Sequence, residues 1–219
     1  MGFFELPERD PEEDDLEPDQ PDDLPRTAPW TAGVVPLELV VARSAEAAVL
    51  ASRVAAYPDG FELTLDSHVR PTVPRRRRQR WYGSMWDPNV APDDPVPDTL
   101  LRFGLAWPDG GRATNLDRWG RGWAHDATEP THGLDEQGGG GSDSAYTQHY
   151  WCWPLPTEGE LRVIVEWPAF GIPETSTTID ATLLAEAATR ARPVWEDDAD
   201  VPAHLSRTAL LRAVRLRES

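Results

Sequence analysis

Hydrophobic and polar positions alternate with a period of two along several short stretches of the chain. The clearest stretch covers residues 61–70, where Phe61, Leu63 and Leu65 alternate with polar or charged side chains. Successive side chains of a β-strand point to opposite faces of the sheet, so this pattern predicts a half-buried strand. In residues 37–43, the same pattern places Leu37, Leu39 and Val41 on one face. Further candidate strands are residues 49–57, 101–107, 112–116, 148–153, 161–167 and 175–179.

Four of these eight candidate strands run into an aromatic residue followed by proline. Examples are Tyr57-Pro58-Asp59-Gly60 and Trp107-Pro108-Asp109-Gly110. Proline cannot donate to a sheet ladder, and Asp-Gly provides the positive φ of a tight reversal. The pattern therefore predicts antiparallel hairpins, one pairing 101–107 with 112–116 and another pairing 148–153 with 161–167.

The last third of the chain predicts one helix. Asp180 is a suitable N-cap, and a helix over 181–191 would end before the Arg192-Pro193 step. Short strands with regular turn signals followed by one helix indicate an all-β fold. We expect a two-layer antiparallel β-sandwich of the immunoglobulin-like type over residues 29–195, with a jelly-roll or up-and-down barrel as the alternative.

Four segments lack the strand pattern. Residues 1–28 form an acidic, proline-bearing tail that we expect to be disordered, and 196–219 combine an acidic patch with a basic C-terminal tail. Two long loops, 71–98 and 117–146, interrupt the sandwich, and Gly138–Gly141 within the second reads as a flexible linker.

Composition narrows the classes of function. The formal net charge of -17 makes nucleic acid an improbable partner, because phosphates are bound through positive groups. Cys152 is the single cysteine, which excludes an intrachain disulfide, and its place between two tryptophans favours a buried, inert thiol. No signal-like or membrane-spanning stretch is visible, so we expect a cytoplasmic protein. Nothing in the chain indicates a cofactor.

One cluster combines arginines with aromatic residues. It consists of Arg75, Arg76, Arg77, Arg78, Arg80, Trp81 and Trp86. Such a cluster can bind phosphates and bases, but the tail, with a charge of about -9 by direct count over residues 1–26, would compete for these arginines. We therefore expect a solvated loop or a contact between tail and cluster. Trp119 and Trp123 in the second loop are candidate interaction residues, since exposed aromatics anchor interfaces.

Two patterns could support catalysis. His125, His132 and His149 lie in or beside the second loop, but their spacing matches no known metal motif, so they are weak metal candidates. Glu166 and Glu174 could imitate the carboxylate pair of a glycosidase, a coincidence that an acidic protein readily produces. An enzyme with a site near the three histidines is one alternative reading.

Several strings together resemble an uncharacterised family of hypothetical proteins from high-GC bacteria. The strings are Glu166-Trp167-Pro168-Ala169, Gly171-Ile172-Pro173-Glu174, Gly111-Arg112-Ala113-Thr114-Asn115 and Trp153-Pro154-Leu155-Pro156. The resemblance spans roughly residues 33 to 192 and implies no activity.

The sequence thus favours a non-enzymatic cytoplasmic module that binds another protein. The enzyme near the histidines is one alternative, and a carbohydrate-binding module that uses exposed tryptophans is another. A convergent histidine pocket would favour the enzyme, and a row of exposed tryptophans on one sheet face would favour the sugar binder.

Overall fold

The structure is a computed structural model and describes residues 29–84, 94–117 and 131–198. Within these ranges the chain forms twelve β-strands, two α-helices and short 3₁₀ turns. The strands are β1 (Trp30–Thr31), β2 (Gly33–Val35), β3 (Leu39–Arg43), β4 (Ala47–Ala56), β5 (Phe61–Val69), β6 (Arg102–Ala106), β7 (Arg112–Thr114), β8 (Gly133–Gly141), β9 (Ala145–Trp153), β10 (Glu160–Trp167), β11 (Ile172–Asp180) and β12 (Arg192–Pro193). The helices are α1 (Arg75–Ser84) and α2 (Ala181–Ala188).

The strands build two main antiparallel sheets. In the first sheet, β2 and β3 share one edge of β4, and β5, β9 and β8 follow in that order. The second sheet has the order β11-β10-β6-β7. A separate ribbon pairs β1 with β12. The prediction of an all-β antiparallel sandwich is confirmed, whereas the immunoglobulin-like subtype stays a prediction.

One hydrophobic core lies between the two sheets. The alternation recognised in the sequence decides which side chains enter it, since Phe61, Leu63 and Leu65 from β5 meet Val163 and the other inward residues of β10 there. Each fully buried aliphatic side chain contributes about 1.5–3 kcal/mol relative to an exposed one. Because β11 also lies against β3, and β7 against β8, the sheets approach each other along both sides.

The C-terminal helix begins as the sequence predicts and ends earlier. The Asp180 carboxylate accepts hydrogen bonds from the Thr182 hydroxyl at 2.7 Å and from the Thr182 backbone N–H at 2.9 Å. The two bonds lower the pKa of Asp180, and the second caps the helix. The prediction of a helix over 181–191 is wrong at its end. Beyond Ala188, the Arg190 and Ala191 N–H groups bond three residues back rather than four, so the α-helix tightens into a turn.

The predicted hairpin of 148–153 with 161–167 is wrong. The first segment belongs to β9, which pairs with β5 and β8 in the first sheet, and the second belongs to β10, which pairs with β6 and β11 in the second. Both strands have a neighbour on each side, so neither has a free edge for the other. The predicted hairpin of 101–107 with 112–116 is present as β6 and β7.

Both predicted long loops contain regular structure. Residues 71–98 include α1, which the periodicity missed because Trp81 is the only buried residue in the part of the helix whose burial is described, 75–83. Residues 117–146 include all of β8, so Gly138–Gly141 is part of an edge strand and not a flexible linker. These glycines pair with β9 at close range, and a Cβ on Gly139 would lie 2.4 Å from the Thr147 carbonyl oxygen.

Candidate functional site: two surface hollows

The arginines of α1 divide into anchoring and free groups. Arg77 donates to both carboxylate oxygens of Glu46 at 2.8 and 2.7 Å, donates to the Ala169 carbonyl and stacks over the Phe170 ring. Arg78 donates to the Pro71 and Val73 carbonyls and forms an ion pair with Asp143 at 3.5 Å. These two arginines attach the helix to the sandwich.

The other three arginines of the cluster face solvent. Arg75, Arg76 and Arg80 are exposed and have no hydrogen-bond or ion-pair partner among the described residues. Trp81, predicted to be an interaction residue, is fully buried and packs edge-on against Trp167 at a ring separation of 5.1 Å. The expectation of an exposed Trp81 is therefore wrong, because this ring is the apolar anchor of α1.

Several predicted site residues lie outside the described residues. They are Trp86, Trp119, Trp123 and His125, together with the acidic tail 1–28 and most of 196–219. The proposed contact between tail and arginine cluster stays a prediction for the same reason.

The two described candidate histidines have different surroundings. His132 contacts the β6–β7 turn, where its Nε2 lies 2.9 Å from Asp109 Oδ2 and its ring packs on Trp107. A backbone hydrogen bond from Gly111, and next the contact with His132, lower the pKa of Asp109. His149 faces outward from β9, with Nδ1 3.2 Å from Thr64 Oγ1. Across the described ranges, no group of three or more His, Cys, Asp or Glu side chains could hold a metal ion.

Cys152 is buried in the core, and burial raises its pKa well above that of an ordinary thiol. A thiol in this environment is a poor nucleophile, because the thiolate is the reactive form. The expectation of a buried thiol is confirmed.

The outer face of the first sheet has an open hollow at one end. Its volume is about 590 Å³, and its lining includes Val40 on β3, Ala48 and Leu50 on β4, and Ala145 on β9. The strand register explains this grouping, because Val40 pairs with Leu50, while Ala48 and Ala145 flank His68 in one cross-strand row. We call it the first-sheet hollow. Val40 is 52% exposed, so an apolar side chain is open to solvent in this hollow.

Positive groups border the first-sheet hollow. Arg43 and Arg70 line it, both are exposed, and neither side chain has a partner among the described residues. Helix α1 adjoins this border, because Pro71, which also lines the hollow, accepts a hydrogen bond from Arg78. In a chain with a net charge of -17, this end of the sheet is a local concentration of unpaired positive charge.

The other end of the same face is covered by aromatic side chains. Trp151 is buried there and packs edge-on against Tyr57 at 5.6 Å, with Trp30 and Trp153 beside them. The β1–β12 ribbon brings Trp30 to this place. Burial in this cluster raises the pKa of Tyr57 to about 12.

A second hollow lies on the outer face of the second sheet. Its volume is about 400 Å³, and Gly104 and Ala106 of β6 lie between β10 and β7 in its lining. Glu166 and Glu174, the carboxylates singled out in the sequence, both line this second-sheet hollow. Glu166 forms an ion pair with Arg102, which also approaches Asp98 at 3.6 Å. This pairing is typical of a carboxylate with a structural role.

A polar cluster points from β8 and β9 toward the interior. Gln148 Nε2 donates to Glu136 Oε1 at 3.3 Å, and partial burial of this carboxyl raises the pKa of Glu136 although the residue as a whole is exposed. The Tyr150 hydroxyl is buried nearby, and its pKa is raised as well. The Asn115 side-chain amide lies beside this hydroxyl. Its Oδ1 already accepts a hydrogen bond from the Phe103 backbone N–H in β6, and its Nδ2 donates to the Leu101 carbonyl just before that strand.

Sequence reasoning missed the first-sheet hollow, although one signal was present. The alternation that places Leu37, Leu39 and Val41 inward leaves apolar Val40 on the outward face. An apolar residue at a position that should be polar marks a candidate contact surface.

Comparisons with protein-family models, with curated proteins and with solved structures each find no match for this chain. Neither α1 nor α2 is long and apolar enough to cross a membrane, and they are the α-helices of the described ranges.

Proposed function

We propose that this chain is a non-enzymatic cytoplasmic protein-binding module, and that the first-sheet hollow takes an acidic segment with apolar side chains from its partner. The observation that supports this proposal is an uncovered apolar floor bordered by unpaired arginines. Burying Val40 and Leu50 under an apolar side chain would be favourable, at about 25 cal/mol per Å² of apolar area removed from water.

Charge complementarity selects an acidic partner. Arg43 and Arg70 on the border of the hollow would attract carboxylates and repel a basic segment. The apolar floor then distinguishes a segment that carries leucine or phenylalanine from a merely acidic one. This division matches ordinary interfaces, in which an apolar centre is surrounded by a charged rim.

The described tryptophans do not favour the sugar-binding alternative. Trp81, Trp107, Trp151 and Trp167 are buried, and among the described tryptophans only Trp195 is exposed. The described surface therefore offers no row of aromatic rings on one sheet face for a sugar chain.

The proposal is tested by selecting a random peptide library on the full-length protein and measuring the affinity of enriched peptides for two variants. Val40→Glu places a carboxylate on the floor of the hollow, whereas Val34→Glu makes the same change at a valine of matched exposure, 53% against 52%, outside the hollow. We expect enrichment of acidic peptides with apolar anchors, and a loss of affinity of at least about tenfold in Val40→Glu alone. Enrichment of basic peptides, or equal affinities in both variants, contradicts the proposal.

A further inference from the structure

The register of the second sheet places two arginines on either side of one alanine. Arg162 on β10 is the cross-strand partner of Ala106 on β6, and Ala106 is the partner of Arg112 on β7. Adjacent strands lie about 4.8 Å apart, so the two arginine Cα atoms are separated by roughly 10 Å across this row. The three side chains share the outward face and border the second-sheet hollow.

These two arginines differ from the third arginine of the same face. Arg102 is neutralised by Glu166 and lies near Asp98. Arg162 donates one hydrogen bond, from Nη2 to Ser176 Oγ at 3.1 Å, and Arg112 has no side-chain partner among the described residues. Exposed arginines are common, but these two lie on one row of an acidic protein, line the same hollow and have no carboxylate partner among the described residues, so several N–H donors stay available at its border.

The floor between the two arginines is small. Ala106 stands in their row, and Gly104 stands in the next row between Ile164 and Thr114. A Cβ on Gly104 would meet the Thr114 methyl at 3.1 Å and the Ala113 carbonyl oxygen at 3.2 Å. Because glycine has no side chain, the backbone itself forms the floor of the hollow in this row. The volume of about 400 Å³ lies in the range of small-ligand sites.

We propose that the second-sheet hollow binds a small organic dianion of the dicarboxylate class, with one carboxylate held by Arg162 and the other by Arg112. The guanidinium group matches a carboxylate with two parallel hydrogen bonds, so two arginines favour a ligand with two such groups. The stem of the ligand would lie over Ala106 and Gly104. Glu174 at the far end of the hollow repels further negative charge and limits the length of the ligand.

This site is separate from the one under the proposed function, because it lies on the other sheet. The test titrates isotope-labelled full-length protein with a length series of dicarboxylates and follows the backbone amides of Gly104 and Ala106 by nuclear magnetic resonance. Acetate and inorganic phosphate are measured in parallel. We expect saturable shifts at both amides, and binding of the best dicarboxylate at least about tenfold tighter than that of acetate.

Variants assign the binding to the arginine row. Arg112→Gln and Arg162→Gln should each weaken dicarboxylate binding about tenfold, whereas the double variant Arg43→Gln/Arg70→Gln, on the first sheet, should leave it unchanged. Ala106→Glu should abolish binding while keeping both arginines, because its carboxylate would occupy the space between them. Ala45→Glu, at an exposed alanine in the β3–β4 turn, is the matched control.

Three results would overturn the proposal. The first is a shift that does not saturate, or that the first-sheet double variant reduces as much as the second-sheet variants. The second is equal binding of acetate and dicarboxylates, which would mean that any anion is attracted. The third is tighter binding of inorganic phosphate than of every dicarboxylate, which would assign the row to a different ligand class.

Discussion

The two ends of the first sheet's outer face are built from the same strands but differ in how far other side chains cover them. At one end, the ring of Trp151 is covered by Tyr57, Trp30 and Trp153 and is buried. At the other end, Val40 and Leu50 line an open hollow with free arginines at its border. Apolar residues on this outer sheet face are therefore buried at one end and exposed at the other. What distinguishes the two ends is whether other side chains lie over them.

This comparison carries the functional proposal. Among the described residues, the β1–β12 ribbon with Trp30 covers one end of this outer face, and no element covers the other end. The open end also carries two arginines without a partner among the described residues, Arg43 and Arg70. The combination of an exposed valine with these arginines therefore supports the proposal of an acidic partner that carries apolar side chains.

The largest expected difference between the two ends is in stability. Trp151→Ala removes a buried ring at the covered end and should lower the free energy of unfolding by about 3–5 kcal/mol. Val40→Ala removes half-exposed methyl groups at the open end and should cost less than about 1 kcal/mol. Denaturant unfolding of both variants measures the difference, and similar losses would break the distinction between the two ends.

The next effect concerns the border of the open end. The double variant Arg43→Gln/Arg70→Gln should weaken binding of a selected acidic peptide about fivefold to tenfold at low salt, and much less at high salt, because exposed charges are screened. Arg112→Gln/Arg162→Gln removes the same charge from the other sheet and should leave this affinity unchanged. Fluorescence anisotropy at two ionic strengths makes the comparison. An equal loss in both double variants would reduce the effect to net charge.

A smaller effect extends the comparison to the second sheet. Ala106→Glu places a carboxylate between Arg162 and Arg112, where cross-strand pairs of opposite charge contribute about 0.2–1 kcal/mol. We expect a modest rise in the melting temperature that disappears at high salt. Ala185→Glu, at an alanine of α2 that is partly exposed like Ala106, should give no such rise. An equal rise in both variants would show that the arginine row is not the cause.

The smallest expected effect concerns the partly buried carboxyl of Glu136 in the polar cluster of β8 and β9. Because the pKa of Glu136 is raised in the folded protein, the folded state binds its proton more readily than the unfolded state does. Stability from this group is therefore present below its ordinary pKa and is lost as pH rises through the raised one. Glu136→Gln should increase the melting temperature at neutral pH by less than about 3 °C and should remove this slope. Melting temperatures of the variant and the unchanged protein at acidic and neutral pH test this prediction. An equal gain at the two pH values would contradict the assignment of the pH dependence to Glu136.

Part of the candidate site was visible in the sequence. The arginine-rich run 75–80 predicted a positive surface. It did not show that Arg77 and Arg78 attach α1 to the sandwich, while the other three arginines have no partner among the described residues. Likewise, Trp81 looked like an interface residue beside these arginines, although its ring is the buried anchor of the helix. The partners that decide these roles, such as Glu46 and Trp167, are distant in the sequence.

The sequence by itself determined the features that depend on near neighbours. Period-two alternation, aromatic-proline strand ends and the Asp180 cap follow from the backbone geometry of a few consecutive residues, and they were sufficient for an antiparallel β-sandwich with a late helix. The tertiary structure alone decided that β9 and β10 belong to different sheets and that none of the described elements covers the end of the first sheet at Val40. Strand partners and coverage depend on competition among all the edges and faces of the fold, and no local pattern encodes that competition.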